Sequence, residues 1–205
     1  MKTNKVYKSE YDVSTRLASL GLTKEALIEV ADAAFSARSN ITEHHPTNGA
    51  GMAAWMEGVR QMRDSIVGVE WAASVDNGVE YIENTELALR IAFCNVDKAA
   101  SFFDPKPVTP KKNTAERNCE INSRQTTLDF GDEFKHASNG LKTYYLFVGE
   151  DGTAELSLPH LCEHGRFFEL VERVFILTPE DLDADLIDVS DDPEPEIEIR
   201  ISRKT

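Results

Sequence analysis

The chain has 205 residues, of which 22 are Lys or Arg and 36 are Asp or Glu, giving a formal net charge of -14. That length fits one compact domain, and 41% hydrophobic with 28% charged residues is a globular rather than a disordered composition. The charge repels phosphate backbones, which disfavours non-specific nucleic-acid binding, and no apolar run is long enough to span a membrane.

Residues 1–21 show little period and lead into the first helix. Thr23 is placed to N-cap a helix over Lys24–Arg38, where Leu27, Ala31 and Ala34 form one stripe with Val30 and Phe35 beside it. His45-Pro46 and Asn48-Gly49 mark Asn40–Gly51 as a loop. A second helix follows, because Met52, Trp55, Val59, Met62 and Ile66 step by three and four residues and share a face. That stripe is expected to be core; a partner-binding groove is the alternative.

Strand signals come next. Val69–Val75 and Val79–Glu83 flank Asn77-Gly78, the dipeptide that suits a type I′ hairpin turn. Leu87–Phe93 alternates, with Leu87, Leu89, Ile91 and Phe93 inward and Ala88, Arg90 and Ala92 outward. Pro105, Pro107 and Pro110 keep 94–112 irregular, and Asn113 with Glu116 forms a capping box for a short helix over Thr114–Arg124. Gln125–Gly140 reads as loop. Thr143–Glu150 and Thr153–Leu158 make a second hairpin about Asp151-Gly152; a two-residue turn sets Phe147 against Leu156 and Tyr145 against Leu158. Leu170–Leu177 is a further strand, and Thr178-Pro179 opens a helix to about Ile187. An acidic linker at 188–195 precedes Ile197, Ile199 and Ile201, which alternate as an edge strand does. The fold class expected is α+β: an antiparallel sheet of about six or seven strands with two main N-terminal helices packed on it. One domain covers 1–187, and 188–205 is the acidic linker and C-terminal edge strand.

The beginning of the chain lacks the apolar stretch of a secretory leader, and Cys94, Cys119 and Cys162 are odd in number and widely spaced. Both features fit reduced thiols in a prokaryotic-type cytoplasm.

Three clusters invite chemistry. His160, Cys162 and His164 are zinc-competent in type, with His44 or His45 as further donors, and their use would make the chain a metal-dependent hydrolase. The spacing matches no common structural zinc pattern, and no local signature marks Cys162 as a nucleophile beside a histidine base. Lys106, Lys111, Lys112, Thr114 and Arg117 make a basic stretch ahead of a helix start, suited to a phosphate-bearing ligand or nucleic acid, although the glycines of a P-loop are missing. Asp129, Asp132, Glu133 and Lys135 have the residue types of a metal-dependent nuclease site but stand among loop formers. From Thr178 to Thr205 ten acidic residues face three basic ones, so Asp188, Asp191, Asp192 and Glu194 are candidates for engaging a basic partner. The dozen-residue loop between the first two helices is too long for a helix-turn-helix. Together these features favour a non-enzymatic accessory or interaction protein that binds a protein partner, with no cofactor and no membrane association.

Overall fold

A computed structural model of the chain describes residues 5–110, 113–127 and 140–188, with backbone alone at 125–127 and 184–188. The elements run β1 (Lys5–Tyr7), α1 (Glu10–Ser19), α2 (Lys24–Ser39), α3 (Gly49–Ile66), β2 (Ala72–Asp76), β3 (Val79–Asn84), β4 (Leu89–Val96), α4 (Asn113–Thr127), β5 (Lys142–Gly149), β6 (Ala154–Glu163), β7 (Arg166–Leu177) and α5 (Pro179–Asp188). The seven strands form one sheet in the order β1-β7-β6-β5-β4-β3-β2. The fold is α+β, as expected, with the two N-terminal helices in place.

The sheet is mixed rather than antiparallel. β4 and β5 are parallel neighbours, with Ile91 opposite Tyr144 and Phe93 opposite Leu146, and β1 runs parallel to β7. A tight turn returns the chain antiparallel, whereas a connection that carries a helix can lay the next strand alongside in the same direction. The connection from β4 to β5 carries α4. As a consequence both faces of the central strands are covered. Ile91, Phe93, Tyr144, Leu146 and Val148 pack under α1–α3, while Ala92, Cys94, Tyr145 and Phe147 pack on the other face with Ala115 and Cys119 of α4. Arg90 and Ala92 are therefore buried, not outward, and Leu87 lies outside the strand and exposed.

Local signals account for most element ends. Ser9 caps α1, its side chain accepting from the Asp12 N–H, and Val13 and Leu17 turn inward. Thr23 caps α2 by accepting from the Ala26 N–H at 3.2 Å. Asn77 and Gly78 both take positive φ, 50° and 76°, as the type I′ turn requires. Thr178 and Asp181 cap α5 reciprocally: the Thr178 N–H donates to the Asp181 carboxylate and the Asp181 N–H to the Thr178 hydroxyl.

The second hairpin forms at the expected place with a different register. The Gly149 N–H bonds the Thr153 carbonyl at 2.8 Å, so three residues, Glu150–Gly152, make the turn, with Gly152 at φ 88°. Leu146 then opposes Leu156, Phe147 opposes Glu155 and Tyr145 opposes Ser157. A shift of one residue moves every side chain to the opposite face. Leu156 and Leu158 join the core under α1–α3, and Glu155 and Ser157 join Tyr145 and Phe147 on the α4 side.

The α3 stripe is also divided. Val59 and Met62 are buried, but Met52 and Trp55 stand exposed with Met56. Gly58 lets α3 approach the sheet: a Cβ there would lie 2.4 Å from the Phe93 ring. No helix among the described residues is long and apolar enough to cross a membrane. The linker and edge strand expected at 188–205 lie outside the described residues, apart from Asp188 at the end of α5.

These contacts set opposite expectations for two glycines of α3. Gly58→Ala is expected to lower unfolding free energy by about 1–3 kcal/mol through the clash with Phe93. Gly51→Ala, with no atom within 4 Å of the added Cβ, is expected to raise it by roughly 0.5–1 kcal/mol through helix propensity. Urea unfolding of the two variants measures both.

Candidate interaction face

At the carboxyl end of β4 the chain leaves the sheet for a loop, 97–108, and returns toward α4. The two ends of the loop are clamped together. The Asp97 N–H donates to the Lys106 carbonyl at 2.9 Å, Val108 N–H to the Asn95 carbonyl, and the Asp97 carboxylate accepts from the backbone N–H of Lys98 and Lys106. Ala99 and Ala100 press onto the sheet, where their N–H groups donate to the Thr153 hydroxyl at 2.9 Å and the Glu155 carboxylate at 2.7 Å.

Glu155 is fully buried and receives four hydrogen bonds. Arg173 of β7 supplies two, Nε at 3.0 Å and Nη2 at 2.6 Å, one to each carboxylate oxygen, and the Ser157 hydroxyl supplies another at 2.7 Å alongside that from Ala100. The same guanidinium reaches outward to the Phe103 carbonyl at 3.3 Å and to the Asp104 carboxylate at 3.6 Å. A buried charge pair with its remaining lone pairs satisfied thus holds the loop from beneath.

What this rigid loop presents is apolar. Phe102 is 90% exposed and Phe103 75%, the two rings standing edge to face with centroids 5.5 Å apart. Burial of a phenyl side chain is worth about 1.5–3 kcal/mol, so two such rings held out in water are a standing source of binding energy. Beside them opens a cavity of about 490 Å³ whose lining includes Lys8, Lys98, Ser101, Phe102, Phe175 and Glu180. The Lys8 ammonium lies 5.0 Å from the centre of the Phe175 ring.

A second polar cluster lies between α4 and the sheet. Arg90 donates to Asn118 at 2.6 Å and to Thr143 at 2.9 Å, with its guanidinium 4.4 Å from the centre of the Tyr81 ring. Asn118 donates in turn to the hydroxyls of Tyr81 and Tyr145, both at 2.9 Å. Burial pushes both tyrosine hydroxyls above their ordinary pKa. These bonds fasten α4 across β3, β4 and β5.

The residues singled out from the sequence are scattered. Lys106 is exposed on the clamped loop. Thr114 is half-buried on α4, and Arg117 lies 3.9 Å from Asp76, a carboxylate also approached by Arg90 at 3.3 Å. Lys111 and Lys112 fall outside the described residues, as do Asp129, Asp132, Glu133, Lys135, Asp191, Asp192 and Glu194; of Asp188 only the backbone is described. His160 and Cys162 are buried on one face of β6, whereas His164 sits exposed in the β6–β7 turn at φ 51°. Among the described residues no three His, Cys, Asp or Glu side chains come together as a metal group. The Cys162 thiol instead meets Cys119 of α4; this hydrogen bond, then burial, drive the Cys119 pKa strongly upward, away from nucleophilic thiolate.

The sequence reading missed the Phe102-Phe103 pair and the Glu155–Arg173 pair. Local sequence marked the second only faintly: Glu155 stands at the start of β6 between Ala154 and Leu156, and Arg173 follows Glu172 in a strand that also carries Arg166 and Glu169. No family model matches the chain, and neither a curated protein nor a solved structure is similar to it.

Glu155→Leu strands the Arg173 charge and is expected to cost about 3–5 kcal/mol of stability, with much of it recovered in Glu155→Leu/Arg173→Leu. Urea unfolding gives both values, and limited proteolysis at 101–104 is expected to speed up in the single variant. All three cysteines are buried, so Ellman's reagent is expected to modify the native protein only at the rate of local opening and to titrate three thiols in guanidinium. Fast modification of the folded protein would contradict that packing.

Proposed function

We propose that this chain is a non-enzymatic interaction protein of a prokaryotic-type cytoplasm, and that it docks a protein partner through the loop at 97–108. The observation that carries the reading is the pair of exposed phenylalanines on a backbone clamped at both ends and bonded to a buried ion pair. A mobile apolar loop loses conformational entropy when it binds; a clamped one has already lost it. Aromatic anchors on rigid supports are where binding energy concentrates at protein interfaces. Phe102 and Phe103 act as the knobs, and the partner supplies an apolar pocket to receive them, with Lys98 and Lys106 at the polar rim. The reading of 104–124 as a phosphate site has less support, since Arg117 already lies near the Asp76 carboxylate.

Two substitutions test this. Phe102→Ala/Phe103→Ala removes little intramolecular packing, so its melting temperature is expected to stay close to that of the parent chain. A photo-crosslinking residue at position 102, in extracts of the native cell, is expected to give a discrete adduct that the same group at exposed position 87 does not give. The double alanine variant is expected to lose that partner on co-purification. Equal crosslinking from both positions, or a partner retained by the double variant, would rule the loop out as the docking element.

A further inference from the structure

Helix α4 turns a narrow face to the sheet. Among the described residues, Ala115 and Cys119 are its apolar contribution to the core, and the buried amides of Asn118 and Asn122 complete that face. Asn122 sets the register of the helix over β6. Its side chain donates to the Pro159 carbonyl at 2.8 Å and to the Thr143 carbonyl at 2.9 Å, and accepts from the Thr143 N–H. One turn back along α4, and three residues further along β6, the Cys119 and Cys162 thiols are hydrogen-bonded to each other. Cys94 is differently engaged. It sits on β4 opposite Phe147 of β5, and its thiol donates to the Asn95 carbonyl at 3.5 Å.

Two sulfurs in contact, carried by a helix and a strand that are remote in sequence, are placed to become a covalent tie. Burial sets the order of events. Cys119 is 1% exposed and Cys162 5%, and the hydrogen bond to Cys162 and then burial keep the Cys119 thiol protonated, so the closed protein is unreactive. A helix held by few apolar contacts opens locally more readily than the sheet beneath it. Opening brings Cys119 into water and relaxes its acidity toward that of an ordinary thiol. Closure returns it to Cys162 at an effective concentration that a second molecule cannot match.

We propose that Cys119 and Cys162 form a redox latch: a hydroperoxide oxidises the pair to a disulfide that locks α4 onto β6. The open form reacts first. The Cys119 thiolate attacks the peroxide, the O–O bond breaks, and Cys119 becomes a sulfenic acid while the departing oxygen takes up a proton and leaves as water or an alcohol. After closure the Cys162 sulfur displaces the hydroxyl from Cys119. The S–S bond forms, and the hydroxyl leaves as water with the Cys162 proton. Two electrons pass from the two sulfurs to the peroxide, and a dithiol reductant reverses the change. The latch is separate from the Phe102-Phe103 loop, and neither requires the other.

The full chain, reduced and then freed of reductant, is treated with hydrogen peroxide at neutral pH. Thiols are counted with Ellman's reagent in guanidinium, and the bridge is located by peptide mapping without reduction. The expected count falls from three thiols to one, with Cys119 joined to Cys162 and Cys94 still a thiol. Hydrogen exchange of the α4 amides is expected to slow by at least about tenfold in the bridged protein and to recover with dithiothreitol. Cys119→Ala is expected to keep its circular dichroism and to show no slowing on treatment. Cys94→Ala is expected to bridge and slow as the parent does, which keeps the test decisive if the first variant folds poorly. Three thiols surviving treatment, oxidation of Cys119 that stops short of a bridge, a bridge to Cys94, or unchanged α4 exchange in the bridged protein would each overturn the proposal.

Discussion

A carboxylate removed from water is destabilising by several kcal/mol unless its oxygens are met by donors, and Glu155 is such a carboxylate. Its partners come from three elements, two of them remote in sequence: Ala100 in the loop after β4, Ser157 on its own strand and Arg173 on β7. The requirement propagates backwards to the turn at Glu150–Gly152. A two-residue turn would change the parity of β6, sending Glu155 toward α1–α3 among Leu146 and Val148 and away from Arg173. Asp151, whose carboxylate accepts from both the N–H and the hydroxyl of Thr153, fixes the three-residue form. The turn geometry and the ion pair are therefore one constraint, and the position of the exposed aromatic loop follows from it.

Legibility in the sequence tracked how local each cause is. Asn77-Gly78 was readable because positive φ at two successive positions is a property of those residues themselves. Thr23, Thr178 and Pro179 marked helix starts for the same reason. The hairpin about Asp151-Gly152 was readable in place but not in register, because the deciding bond joins Gly149 to Thr153 outside the dipeptide. Helix α1 was missed: with Val13 and Leu17 as its buried residues it offers almost no period to detect. The parallel pairing of β4 with β5 has no local signature, since it depends on where α4 lays the chain down. At the site, Lys106 could be named from its charge, but the exposure of Phe102 and Phe103 is a tertiary fact. An aromatic dipeptide just ahead of a proline-rich stretch reads equally well as a plug for the core.

The start of α3 and the aromatic loop are joined mechanically. Asn95, near the end of β4, donates from its side chain to the Gly51 carbonyl of α3 at 2.8 Å and accepts at its own carbonyl from Val108. The first turn of α3 and the returning arm of the aromatic loop are thus bonded to one residue. Gly58 beneath, lying against Phe93, keeps the helix close enough for that bond. Both elements therefore rest on one framework anchored in the sheet.

The place of β1 at one border of the sheet, beside the last strand, has a consequence for synthesis. Val6 pairs with Arg173, so the earliest described strand cannot take its place until β7 has left the ribosome. The meanders β2–β4 and β5–β7, by contrast, close over short distances and are able to form as they emerge. Vectorial production therefore holds β1 back until its neighbour β7 exists, although β1 precedes every other described strand along the chain.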